Sequence, residues 1–125
     1  MPQINIKTLK LDQEKKDLIA ETVYETGKRI YGIPNIEIYF NEYDNCYIRG
    51  KLVANQTESI LVELQGPVLD KAKRAEFCKE INEKIHTIMK GATDFKLCYF
   101  WDNGAENEFA GMNGRLFSEI FKNTH

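Results

Sequence analysis

Ile4 and Ile6 alternate with Gln3, Asn5 and Lys7 along the first segment, which is the period of a strand with one apolar and one polar face. From Leu11 to about Tyr31 the spacing changes. Leu18, Ile19, Val23 and Ile30 recur at helical intervals with Thr22 and Thr26 between them, and Asp12 stands where a carboxylate meets the free amides of a first turn. The pattern predicts an amphipathic helix. Gly32 is placed to stop it and Pro34 prevents its continuation, after which Ile36, Ile38 and Phe40 alternate with Glu37, Tyr39 and Asn41 as a second strand.

The same order then repeats. Ile60, Val62 and Leu64 alternate with Leu61, Glu63 and Gln65; a helix from about Leu69 to Met89 carries Phe77, Ile81, Ile85 and Ile88; Phe95 to Trp101 forms a further strand. Leu11-Asp12 and Leu69-Asp70 open the two helices at an offset of 58 residues. Ile4, Ile6, Val23 and Ile30 meet Val62, Leu64, Ile81 and Ile88 at that same offset. For the last strand two cues compete: Tyr39-Phe40 against Tyr99-Phe100 gives 60, and the apolar faces Ile36 and Ile38 against Phe95 and Leu97 give 59. The face criterion favours 59, because a one-residue slip turns every side chain over, and it makes Lys96 the counterpart of Glu37. Gly-bearing connectors, Tyr47 to Leu52 and Phe109 to Leu116, suggest matching hairpins or turns.

Right-handed crossovers make each strand pair parallel, and joining the pairs gives an α/β (α+β) fold: duplicated β-α-β units in one four-stranded mixed sheet with both helices on one face. Residues 1–125 are expected to form a single domain of two pseudo-repeats, about 2–58 and 59–125. The face away from the helices, assigned Leu61, Tyr39, Cys98 and Phe100 among others, is too apolar and aromatic for a freely solvated surface, so self-association is expected.

Composition narrows the partners. The chain has 125 residues, 42% of them hydrophobic, with 17 basic and 19 acidic residues and no long block of either sign. That balance argues against nucleic acid and against a polybasic membrane anchor. No apolar run approaches the roughly 18 residues of a spanning helix, and the N-terminus lacks the regions of a signal peptide, so a cytoplasmic location is expected. Cys46, Cys78 and Cys98 are an odd, widely spaced set and read as reduced thiols. No His, Cys and carboxylate cluster has metal-ligand spacing, so no metal and no cofactor are expected.

A proline directly after Met1, opening a strand that leads into a β-α-β unit, resembles the tautomerase superfamily of 4-oxalocrotonate tautomerase, malonate semialdehyde decarboxylase and macrophage migration inhibitory factor. The stretch from Leu11 to Ile19 and the exit Ile30-Tyr31-Gly32-Ile33-Pro34 are similar to the first helix of that family, and Phe109 to Leu116 resembles its Gly-rich C-terminal turn. The resemblance implies a fused two-unit chain that assembles as a homotrimer, with the polar strand faces inside a barrel. It also implies a cofactor-independent tautomerase or isomerase that moves a proton next to a carbonyl of a small keto or enol acid.

In that resemblance Pro2 matches the catalytic proline. Removal of Met1 would leave a secondary amine, and burial lowers an α-amino pKa from its reference of about 7.7 to 8.0, toward a neutral base at pH 7. Lys10 falls where two of the family enzymes carry an arginine, and Phe109 matches an aromatic residue that lines the pocket. Glu37 lies where the second strand can carry a substrate-binding arginine, and Gln65-Gly66-Pro67-Val68 replaces two arginines flanking a proline. Lys96, Arg49 and Arg115 are the candidates to supply the missing positive charge, while Glu37 either pairs with one of them or activates water. Two alternatives stay open: a non-catalytic trimeric binding or scaffold protein of the same fold, and a hydratase or decarboxylase in which Glu37 assists water.

Overall fold

A computed structural model describes residues 2–52, 60–89, 98–104 and 108–120. Strand β1 (Gln3–Leu9) leads into helix α1 (Gln13–Tyr31) and strand β2 (Glu37–Tyr43); strand β5 (Ile60–Gln65) leads into helix α2 (Lys71–Ile88) and strand β6 (Cys98–Asp102). Between and after these units stand two short hairpins, β3 (Tyr47–Ile48) with β4 (Lys51–Leu52), and β7 (Gly111–Met112) with β8 (Arg115–Leu116), followed by a turn of helix α3 (Phe117–Ile120). The main sheet has the order β2-β1-β5-β6, parallel within each unit and antiparallel between β1 and β5, as the duplicated pattern predicts. Among the described residues no helix is long and apolar enough to cross a membrane.

Alternation along β1 and β5 turns Ile4, Ile6, Ile60, Val62 and Leu64 onto one face, where they are fully buried with Ile19 and Val23 of α1 and Phe77, Ile81 and Ile85 of α2. Each such side chain stabilises the fold by about 1.5–3 kcal/mol through burial. The Phe77 ring is central, with centroids 6.3 Å from Tyr31 and 5.7 Å from Phe100.

The internal symmetry is visible in the ladder itself. Asn5 pairs with Glu63, its own counterpart at the 58-residue offset, so the pseudo-twofold axis passes through that pair. Thr26 and Lys84, separated by the same 58 residues, meet through a 3.4 Å hydrogen bond between the helices. Both helices begin alike: the Lys15 amide donates to Asp12 and the Lys73 amide to Asp70, each at 2.8 Å. Replacing Asp12 or Asp70 by Ala leaves those amides unmet and is expected to lower stability by about 1 kcal/mol at either site, measurable as a lower urea midpoint with unchanged slope.

The last strand departs from the sequence reading. Residues of β1 pair with those 34 positions on, and residues of β5 with those 38 positions on, which displaces β6 from β2 by 62 residues, neither 59 nor 60. The connection between α2 and β6 is longer than that between α1 and β2, and apolar alternation alone does not register this extra length. Ile38 therefore corresponds to Phe100, and Phe100 packs on the core from the helix-covered side; its assignment to the opposite face is overturned. Tyr99, not Lys96, holds the position equivalent to Glu37. Lys96, with Phe95 and Leu97, lies outside the described residues. The uncovered face presents Tyr39 at 46% and Trp101 at 56% exposure, beside a Lys7–Glu63 ion pair at 2.8 Å.

Candidate functional site

Pro2 heads β1 and is buried at one end of the sheet. Its carbonyl accepts from the Glu37 amide at 3.1 Å, which ties the start of β2 to the start of β1. Its ring is backed by Gly66, the first residue after β5. A Cβ at position 66 would stand 3.0 Å from Pro2 Cα and 3.1 Å from Pro2 Cβ, tighter than ordinary packing. Glycine at 66 is what lets the two strand ends close. Gly66→Ala must displace Pro2 by a few tenths of an ångström. The expected result is a several-fold loss of any Pro2-dependent reaction with little change in melting temperature, since the core is untouched.

Gly66 and its neighbours wall a cavity of about 430 Å³. Gln3 and Glu37 enter it from the starts of β1 and β2, Gln65 and Pro67 from the end of β5, and Asn103 from the turn after β6. The β ladder explains the meeting of the two glutamines, because Gln3 and Gln65 are directly paired. Asn103 is held there by its amide, which donates to the Leu64 carbonyl at 2.8 Å, and the turn continues with the Gly104 amide on the Asp102 carboxylate at 2.9 Å.

The β7–β8 hairpin closes the other side with Phe109, Ala110, Gly111, Met112 and, from α3, Phe117. Its turn has Asn113 and Gly114 at φ 55° and 80°, and the first hairpin has Arg49 and Gly50 at 53° and 76°, the positive pairs of a tight two-residue hairpin. Gly111 is required for a different reason: a Cβ there would lie 2.3 Å from the Arg115 carbonyl oxygen. The Phe117 amide donates to the Ala110 carbonyl at 2.9 Å, so the hairpin is latched as it returns. Phe109 is 77% exposed at the cavity rim.

Glu37 is the only ionisable side chain lining this cavity among the described residues. The Tyr39 hydroxyl and, at 3.5 Å, the Gln3 side-chain amide donate to its Oε2. Glu37 in turn raises the Tyr39 phenol above its ordinary value, through that hydrogen bond first, so Tyr39 remains a protonated donor at neutral pH.

The predicted site residues thus divide. Pro2, Glu37 and Phe109 converge on one end of the sheet. Lys10 follows the far end of β1, roughly 26 Å from Pro2 along an extended strand. There it adds to the field at Glu42, whose carboxyl is held low by the Leu11 amide and Lys16. Arg115 turns to α3, 3.9 Å from the Glu119 carboxylate and 3.4 Å from the Glu119 carbonyl, and does not line the cavity. Lys96 and Met1 are outside the described residues. Gln3, Asn103, Met112 and Phe117 were not singled out from the sequence. Gln3 is brought there by the antiparallel β1–β5 register, which sets it opposite Gln65 and which the repeat offset does not fix. No metal-ligand cluster occurs among the described residues.

No known family profile matches the sequence, and no curated protein matches it at the level of sequence. Solved structures do match in fold. A member of the cis-3-chloroacrylic acid dehalogenase family superposes with a TM-score of 0.76 at 13% identity, over 98% of this chain and 92% of that one. The wild-type asymmetric trimer of a fused 4-OT gives 0.76 at 13% identity, over 94% and 98%. A domain of unknown function from Sebaldella termitidis gives 0.69 at 21% identity, over 94% and 100%.

Proposed function

Because this chain has the tautomerase-superfamily fold, we propose that it is a cofactor-independent isomerase that moves a proton next to the carbonyl of a small compound, with Pro2 as base and then acid. The observation that carries this reading is the packing of buried Pro2 against Gly66, a residue that lines the cavity of about 430 Å³, with Pro2 itself just outside the lining. Once Met1 is removed, Pro2 bears a secondary amine whose lone pair takes the proton from the substrate carbon. The C–H electrons form the C=C bond and the carbonyl π pair moves to oxygen as an enolate. Side-chain amides of Gln65 and Asn103 are the donors available to that oxygen in the cavity, and the prolinium returns the proton at carbon or oxygen.

The reading extends to the whole chain as one domain, to a cytoplasmic location and to a homotrimer. A trimer would cover Tyr39 and Trp101 on the open sheet face, and the fused 4-OT of the same fold is a trimer. Sedimentation equilibrium tests this part separately, since a stable monomer contradicts it.

The test of the chemistry is hydrogen exchange at the α-carbon of small ketones in D2O, followed by NMR with protein whose intact mass shows Met1 removed. Exchange above buffer that falls in Pro2→Ala supports the isomerase. Exchange that is absent across a panel of acids, amides and amines refutes it and favours a scaffold.

A further inference from the structure

The wall of the cavity has an unusual charge character for a site that is to bind a small keto acid. Among the described residues its polar lining is made of three neutral amides, Gln3, Gln65 and Asn103, and one carboxylate, Glu37. Glu37 receives hydrogen bonds from two neutral donors, Tyr39 and Gln3, and forms no ion pair among the described residues. Neutral donors stabilise a carboxylate without cancelling its charge. Among the described residues the cavity therefore holds a negative group with no paired cation, close to where Pro2 heads β1.

The aromatic at the rim reinforces that polarity. The face of a phenyl ring is its negative region, and Phe109 offers an exposed ring at the same opening. Among the described lining residues a substrate carboxylate meets like charge and no cation, whereas an ammonium group meets a carboxylate with an exposed phenyl ring at the rim. We infer that the site takes a small carbonyl compound bearing a positive charge, such as an amino ketone, with its cationic end toward Glu37 and Phe109. This inference rests on the isomerase reading for the chemistry but not for the binding.

Three ligands of one skeleton separate the two: phenylpyruvate, phenylpyruvamide and the benzyl ketone bearing a trimethylammonium group, whose charge is independent of pH. Each is titrated by NMR into the intact protein lacking Met1, and each is assayed for α-carbon exchange. The ammonium ketone is expected to bind about tenfold or more tighter than phenylpyruvate, a difference on the scale of one charge pair met at the edge of water. Glu37→Gln keeps the shape of the side chain and is expected to reduce that ratio to near one, chiefly by weakening the cation. Equal or tighter binding of phenylpyruvate, best binding of the neutral amide, or a ratio unmoved in Glu37→Gln overturns the inference. Charge-ranked binding with no exchange of any ligand leaves the inference standing and rejects the isomerase. Pro2-dependent exchange that is fastest with phenylpyruvate does the reverse.

Discussion

Phe77→Ala is expected to lower the free energy of unfolding by about 3–5 kcal/mol, the cost of an emptied aromatic site in a close-packed core. Phe77 is fully buried and occupies, in the second unit, the place of Ile19 in the first. The larger ring reaches across the pseudo-twofold axis. Its edge approaches the position of a Cβ on Gly27 of α1 to 3.8 Å, and it contacts the rings of Tyr31 and Phe100. The approach to Gly27 is at ordinary contact distance; the side chain that a Cβ at Gly27 would crowd is Ile36, at 3.1 Å. Removing the ring opens space that neither Tyr31, on a helix, nor Phe100, on a strand, can fill without moving its backbone. A domain of this size has about 5–15 kcal/mol of stability to lose, so the variant should be marginal. Urea unfolding monitored by circular dichroism gives the measurement. A loss under about 1 kcal/mol would show that the three-ring contact is not the centre of the core.

Keeping the Pro2 nitrogen in a peptide bond, by a preparation that retains Met1, is expected to reduce α-proton exchange by about 10²–10⁴-fold, the range contributed by a positioned general base. An amide nitrogen has no basic lone pair, so the loss is chemical and needs no change in structure. Pro2→Ala with its own terminus free should lose less. It retains a primary α-amine as a base but loses the ring that aims the nitrogen and packs on Gly66. The order wild type, Pro2→Ala, blocked Pro2 is therefore the signature to look for. Equal rates for the free and blocked forms would place the chemistry elsewhere, and Glu37 would be the first group to examine.

Much of this architecture was readable from residue pattern. The two helices with their Asp12 and Asp70 caps, the Gly32 stop and the alternating strands follow from local rules that need no partner. The duplication supplied what local rules lack, because an offset of 58 fixes which strands are equivalent; the pairing of Asn5 with Glu63 came only with the structure. It failed at β6. There the choice between offsets rested on apolar alternation, and an edge strand half covered by one helix carries a weaker alternation than a central one. Phe100, whose ring contact with Phe77 sets the true face, looked from sequence like one more aromatic on an open surface.

The site was legible only in part for a related reason. Pro2, Glu37 and Phe109 were marked by resemblance, but their convergence depends on Gly66 permitting close approach and on a hairpin latched through Ala110 and Phe117. Lys10 shows the opposite limit: neighbouring Pro2 in sequence, it is carried to the other end of the sheet by the rise of one strand. Position in a motif list and position in space differ by a strand length.

The pseudo-twofold axis through Asn5 and Glu63 makes the two ends of the sheet copies in backbone but not in covalent linkage. Residue 60 is the image of residue 2, and Ile60 is an interior link of the chain, fully buried and joined by peptide bonds on both sides. Joining two units in one polypeptide removes a chain terminus, and with it one of two equivalent amines. On the proposed chemistry each chain would present one reactive end and one inert end. Its assemblies would be expected to titrate with a stoichiometry of one per chain, half the number that their folded symmetry suggests.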